Sequence, residues 1–366
     1  MSVVSSIDRR VVIAIDPHKA SWTAAVVSES LQPLATLRVP VSREGYRSLH
    51  RFARTWHVSM WAIEGAFGMG APLTSRLAAD GVDVVDVPAK LAARVRLLST
   101  GHGRKNDDAD ALSVGIAALN ATHLTTVTVD DAATALRAIV EHREDLVKTR
   151  TQTLNRIHVL LTRLTPGGAS GTLTAERATT LLRPIRPRDP ANKALRGLAA
   201  DMVSELRHLD RRIAKSANDI TSAVTASGTG LTELHGIGTI SAAKIISRVG
   251  DIHRFRSAAA FATYTGTAPI EVSSGDVTRH RLSRAGDRQL NSCLHVMALT
   301  QIRNHPQAQA YYQRKRAEGK SRREAMRCLK RRLSDVVYRQ LIRDTYRQEA
   351  GPGGHSGAAL SSRAAG

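Results

Sequence analysis

An α/β domain followed by a long helical region is the fold class this sequence predicts, and three observations predict it. Short apolar runs ending in an acid alternate with helical patterns over the first 120 residues. From about Ala132 the apolar residues recur at three- and four-residue steps instead. A hydrophobic content of 42% over 366 residues is that of a folded chain, long enough for two or three domains with their own cores.

The elements follow in order. Val11–Ile15 and Ser21–Val27 read as strands and flank the turn Asp16-Pro17-His18-Lys19, which predicts a hairpin. A helical stretch around Arg43–Thr55 precedes a strand over Trp61–Glu64. Ala71–Asp80 reads as a helix, and Gly81 leads into a strand over Val82–Val87. An initial hairpin followed by alternating helices and strands fits an RNase H-like sheet better than a doubly wound one. Gly101-His102-Gly103-Arg104 forms a flexible approach to a helix start at Asp107, which Asn106 is suited to cap.

In the middle region Leu136, Val140, Leu146, Val147, Leu154, Ile157, Leu161 and Leu164 form an apolar seam, interrupted by Arg143 and Arg150. Pro166-Gly167-Gly168 ends it, and a proline-rich break at 183–190 precedes a second seam of Leu195, Leu198, Met202, Leu206, Leu209, Ile213 and Ile220. This coiled-coil-like spacing serves equally an intramolecular helical hairpin or an oligomerisation arm. The expected divisions are an α/β domain over 1–125, a helical coiled-coil region over 126–228 and a mainly α domain over 229–347. The Gly/Ala/Ser-rich stretch 348–366 reads as a disordered tail.

The formal charge of +21 calls for a polyanionic partner. It is unevenly spread: residues 1–120 carry 14 Lys/Arg against 11 Asp/Glu, whereas 281–347 carry 17 against 5. The acids and the main basic surface therefore lie in different parts of the chain. Two cysteines, Cys293 and Cys328, without metal-ligand spacing predict a reducing cytoplasm. The absence of a signal peptide or an 18-residue apolar run predicts neither export nor a membrane span.

Four carboxylates carry the chemistry. Asp16 ends one apolar run, Glu64 ends another, and Asp107 and Asp110 sit three apart at a helix start. A single Asp at a strand end is more often a turn residue. Two strand-end acids with two on one helical face, in this order, instead form a set that converges on a pair of divalent metals. Oxygen-only ligands suit Mg2+ or Mn2+, and such a pair stabilises the attacking and leaving oxygens of a phosphoryl transfer. Asp108, two positions from Asp110, points away from that face and stays outside the set.

The C-terminal region adds nucleic-acid signals. Gly236-Ile237-Gly238 followed by Lys244 reads as the second half of a helix-hairpin-helix, whose backbone N–H groups suit a phosphate; the plainer reading is a tight turn. Ser273-Ser274-Gly275 alone is a turn, followed by a basic run with Arg279, Arg281 and Arg284. A serine hydroxyl needs activation to be a nucleophile, and no base stands nearby in sequence. Arg314 and Lys315 through Arg331 and Arg332 read as a basic helical surface for phosphate contacts.

Taken as an ordered set, these residues resemble the DEDD transposases of bacterial insertion sequences, a family that includes the Piv pilin-gene invertases. The resemblance covers about residues 10–345. It rests on Ile15-Asp16 with Lys19, Ile63-Glu64-Gly65 and Lys105-Asn106-Asp107-Asp108-Ala109-Asp110-Ala111. Farther on it rests on Gly236-Ile237-Gly238, Phe255, Phe261-Ala262, Gly266 with Pro269, Ser274-Gly275 and Leu282-Ser283-Arg284-Ala285-Gly286-Asp287. It implies a RuvC-like N-terminal domain, a coiled-coil middle and a C-terminal transposase domain. It places the acidic tetrad on Asp16, Glu64, Asp107 and Asp110 and an essential serine on Ser274. It also implies recombination of element and target DNA guided by a structured bridge RNA. The implied assembly is a homo-oligomer, dimers joining to a tetramer in which the acids of one subunit work with the serine of another, in the bacterial cytoplasm at the nucleoid. Asn106 departs from the small hydroxyl residue usual before the first helix Asp, and Ser273 beside Ser274 leaves two candidate nucleophiles.

The expected reaction is attack by Ser274 on a DNA phosphate, with Mg2+ held by the four acids. Two rivals stay open: a metal-dependent nuclease or junction resolvase using water, and a non-enzymatic binder of nucleic acid.

Overall fold

The computed structural model describes residues 10–100, 107–274, 277–281, 283 and 286–350. The chain divides into two compact units, Met1–Val129 and Asp130–Gly366.

The first unit is built on β1 (Val11–Pro17), β2 (Ser21–Ser28), β3 (Pro33–Pro40), β4 (Val58–Glu64), β5 (Val84–Val87) and β6 (Thr125–Thr126). Its helices are α1 (Arg43–Ala53), α2 (Ala71–Ala79), α3 (Ala89–Thr100) and α4 (Asp107–Asn120). The sheet order is β3-β2-β1-β4-β5-β6. β1 pairs antiparallel with β2 and parallel with β4, β2 pairs antiparallel with β3, and β4 pairs parallel with β5. A three-stranded antiparallel edge continued by parallel strands is the RNase H-like arrangement expected. β1 reads as an unbroken apolar run because both faces of the sheet are covered. Val11, Ile13 and Ile15 pack on Leu49 of α1 and Leu73 and Leu77 of α2. Val12 and Ala14 pack on Ala111, Val114 and Ala117 of α4.

The second unit opens with α5 (Asp131–Leu164), α6 (Ala175–Leu182) and α7 (Pro190–Ala226). Asp130 and Asp189 cap α5 and α7 by accepting from backbone N–H groups, and Pro190 occupies the first helical position of α7. The long helices pair antiparallel. Ile157 and Leu161 share a cluster with Val203 and Leu206, and Leu136 and Val140 share another with Ile220 and Val224. Pairing within the chain therefore fills both seams, but Val147 and Leu198, expected in them, face outward at 36% and 53% exposure. Arg150 interrupts its seam to pair with Asp210 across the two helices.

Beyond these lie α8 (Thr239–Val249), α9 (Ala258–Tyr264), the hairpin β7 (Ile270–Ser274) and β8 (Val277–Arg281), α10 (Arg288–Asn304), α11 (Pro306–Ala317) and α12 (Arg322–Ala350). One hydrophobic cluster joins the ends of α5 and α7 to α8, α10 and α12. Two motif glycines explain themselves here. Gly286 meets the backbone of Gly266, whose N would lie 2.2 Å from an added Cβ, and Gly266 has φ +66. Among the described residues no helix is long and apolar enough to cross a membrane.

Candidate active site

The sheet brings the four acids together. β1 and β4 are parallel neighbours with Ile15 opposite Ile63. Asp16 and Glu64, one residue farther along, share by alternation the face of Val12, Ala14 and Ala62, the face on which α4 packs. Asp107 and Asp110 occupy the first turn of α4, where the helix dipole favours negative charge. Asp16 and Asp110 are buried, Asp107 is partly so, and Asp108 is exposed as its spacing predicts.

Gly115 sets how closely α4 approaches. A Cβ there would stand 2.4 Å from Val27 Cγ2 and 3.0 Å from the Ala14 Cβ. Gly115→Val is therefore expected to push α4 off the sheet, costing about 1–3 kcal/mol by overpacking and separating the helix acids from Asp16. A fall of several degrees in Tm, measured by calorimetry, is the expected result; an unchanged Tm would contradict this packing.

Three side chains hold the acids. His18 Nε2 stands 3.1 Å from Asp16 Oδ2 and 3.5 Å from Asp107 Oδ1. Arg38 on β3 reaches Asp107 Oδ2 at 3.0 Å, and Arg96 on α3 pairs with the buried Asp110. Asp86 on β5 accepts the Ala66 N–H at 2.7 Å and so fixes the loop that follows Glu64.

Glu64 is the electrostatic odd one out. Burial first, then repulsion by Asp16 and Asp110, pushes its carboxyl from 4.5 up to about 7. A group whose folded pKa lies above its unfolded value costs stability as pH rises between the two. Glu64→Gln removes that cost. The variant is expected to be the more stable protein above about pH 7 in chelator and to lose its advantage below 4.5. After discounting for solvent at this half-buried group, the gain is about 1 kcal/mol. Denaturant melts at both pH values measure it, and a variant less stable at high pH would refute the assignment.

A desolvated cluster of oxygen donors that repel one another is chemically suited to a hard divalent cation, Mg2+ or Mn2+. Among the described residues no three acids or histidines stand in a ready metal-ligating arrangement; His18 and the two arginines lie against the carboxylates instead.

The second unit carries the other predicted residues. Ser274 ends β7 opposite Val277, while Gly275, Asp276 and Arg284 lie outside the described residues, as do Asn106 and the 101–104 approach. Arg279 pairs with Val272 in the β7–β8 register, and Arg281, opposite Ile270, is exposed. Gly236 adopts φ +89 and lies against Met297 of α10, where an added Cβ would stand 3.0 Å from the carbonyl oxygen; Gly238 caps α8. The element before this turn is a single 3-10 turn, Gly230–Glu233. Lys244 pairs with Glu144 of α5, which ties α8 to the long helix. Arg314 and Arg332 are exposed, and their guanidinium groups stand 5.2 and 5.1 Å from the ring centre of Tyr311. Lys315 and Arg331 are ion-paired with Glu318 and Asp335.

His18 stands in the turn noted beside Asp16, but its link to two acids has no sequence signal. Arg38 and Arg96 lie on elements that the sequence patterns did not reveal.

Comparison with known proteins fits this geometry. A model of IS110-type DEDD transposases matches residues 13–166, and one described as the transposase IS116/IS110/IS902 family matches residues 229–313. The insertion element IS116 44.8 kDa protein of Streptomyces clavuligerus is 25% identical over 379 residues, covering 91% of this chain and 94% of its own. The insertion element IS110 43.6 kDa protein of Streptomyces coelicolor is 28% identical over 324 residues, covering 75% and 79%. Among solved structures, Thermus thermophilus RuvC is aligned at 17% identity and TM-score 0.24, covering 32% of this chain and 99% of that one. The acid-bearing α/β unit with its helical second unit defines a DEDD-type transposase of an insertion element. The chain belongs to the IS116/IS110/IS902 family, and it is a DNA transposase or recombinase.

Proposed function

We propose that this transposase cuts and rejoins DNA through a phosphoserine intermediate on Ser274, with Asp16, Glu64, Asp107 and Asp110 holding Mg2+ or Mn2+. The observation that carries the reading is the clustering of these four carboxylates at one end of the sheet, with Glu64 pushed up to about 7 by burial and by Asp16 and Asp110. Bound there, a divalent pair supplies electrostatic stabilisation of the attacking and leaving oxygens. His18, Arg38 and Arg96 orient the carboxylates that would hold it, and Asp86 keeps the loop after Glu64 in place.

In the serine step, Ser274 Oγ bonds to phosphorus as the bond to one deoxyribose oxygen breaks. The hydroxyl proton of the serine ends on the released deoxyribose hydroxyl. Attack by another strand's hydroxyl reverses the exchange and frees the serine. Two transesterifications conserve the phosphodiester energy, so no nucleoside triphosphate is consumed.

Sequence choice is assigned to base pairing with a structured bridge RNA, while the protein reads backbone and shape. Arg279, Arg281, Arg284, Arg314, Lys315, Arg331 and Arg332 are assigned to phosphates, with Gly236, Gly238 and Lys244 as further contacts. A chain of +21 with only 4% aromatic residues suits that division. The working assembly is a homo-tetramer built from dimers, in which the acids of one subunit serve the serine of another.

The test is a trapping assay with labelled element-end DNA. Wild type is expected to give a denaturant-stable protein–DNA adduct that maps to the peptide bearing Ser274. Cleaved DNA without any adduct would make water the nucleophile.

A further inference from the structure

The second unit contains a cleft of about 720 Å³ that lies apart from the serine end of the hairpin. Its walls are the loop leading into β7, the last residue of β8, α11 and the first turns of α12. The volume is in the range of pockets that take a small organic ligand. Among the described residues six cations line it, Arg281, Lys315, Lys320, Arg327, Lys330 and Arg331, against one acid, Glu324. Arg327, Lys330 and Arg331 recur at three- and four-residue steps, so one face of α12 supplies half of them.

Lys330 decides what such a cleft is for. Its side chain is 7% exposed, and its ammonium donates to Asn291 Oδ1, a neutral amide. Among the described residues no carboxylate pairs with it. Burial alone pushes its pKa from 10.5 down to about 8, with no acid offsetting the loss of water. Three other cations of the cleft have acidic partners, Lys315 on Glu318, Arg331 on Asp335 and, at 3.8 Å, Arg327 on Glu324. A buried lysine left to an amide alone is costly unless something anionic reaches it. A salt bridge kept for stability would have placed an acid there.

We propose that this cleft is a phosphate site that takes the phosphate group of a nucleotide, with Lys330 as its buried anchor and Arg281, Lys320 and Arg327 closing around it. Phosphate matches the charge, accepts several donors at once and forms short charge-assisted hydrogen bonds. The nucleotide assignment follows from size, because the cleft is much larger than a lone anion needs. This site stands whether or not the acid cluster and Ser274 act as proposed above.

Cys328 also lines the cleft, and it offers a local reporter. The full-length protein is treated with iodoacetamide, and alkylation of Cys328 is followed by peptide mass spectrometry; Cys293, buried in the core, serves as the internal reference. The probes are inorganic phosphate, a 5′-mononucleotide, the matching nucleoside and a short single-stranded oligonucleotide with internal phosphates only. The mononucleotide is expected to slow Cys328 labelling several-fold and saturably, and the nucleoside to leave it unchanged. Lys330→Met is expected to abolish the protection. Arg281→Gln with Lys320→Gln, both at the cleft rim, is expected to weaken it and guards against a folding defect in the Lys330 variant. Protection by the oligonucleotide places the ligand within a nucleic-acid chain, and protection by the mononucleotide alone places it at a chain end or free. Equal protection by nucleoside, protection that survives Lys330→Met, protection by inorganic phosphate as strong as by nucleotide, or no protection by any probe overturns the proposal.

Discussion

Asp107→Ala is expected to abolish transposition while leaving the fold and nucleic-acid binding intact. The residue sits in the first turn of α4 on the surface of the acid cluster, partly exposed, so its loss opens no cavity in the core. What the substitution removes is one oxygen donor and the partner of both His18 and Arg38. A divalent ion contributes several kcal/mol of transition-state stabilisation, so losing its grip costs a factor of about 10^3 or more in rate. Asp107→Asn should be nearly as damaging, because it keeps the shape and one oxygen but removes the charge. Thermal melts and gel-shift titrations beside the transposition assay separate this from unfolding. A variant that melts and binds as wild type yet transposes at more than a tenth of its rate would remove Asp107 from the site.

Ser274→Ala is expected to stop strand exchange as completely, by a different route. If the hydroxyl is the nucleophile, its removal costs a factor of about 10^4 to 10^6, as for other covalent catalysts. The resemblance to the DEDD transposases places the nucleophile on Ser274, directly before Gly275, and not on Ser273. Ser273→Ala is therefore expected to retain exchange. The trapped adduct discriminates between them, since only the nucleophile's variant loses it.

Much of the acid cluster was legible because strand-end acids and a helix-start pair leave local signals. Asp16 and Glu64 close apolar runs that both faces of the sheet bury, and Asp107 with Asp110 marks the start of α4. The side chains that hold them were not. β3 lies at the sheet edge with mostly exposed side chains and proline at both ends, so it lacks the continuous apolar run that betrays β1. Arg38 went unseen with it, and Arg96 with α3. The long-helix seam was readable in its periodicity, but spacing alone does not choose between partners. The structure closes it within the chain, through Ile157 and Leu161 on Val203 and Leu206. Nor does a basic run reveal which members are already paired: Lys244 is neutralised by Glu144, whereas buried Lys330, inside the basic run, pairs with no acid among the described residues.

The central claim is that one reaction needs both the carboxylates of the first unit and the serine of the second. The measurement that tests it most directly is recombination in cells, with the native flanking DNA supplied as element and RNA source. Wild type runs beside Asp107→Ala and Ser274→Ala, and RNA recovered with each protein is measured in the same cells. Excision or insertion by wild type alone, with RNA recovered equally from all three, is the predicted result. Normal recombination by Ser274→Ala would contradict the account and make water-driven cleavage at the acid cluster the better description.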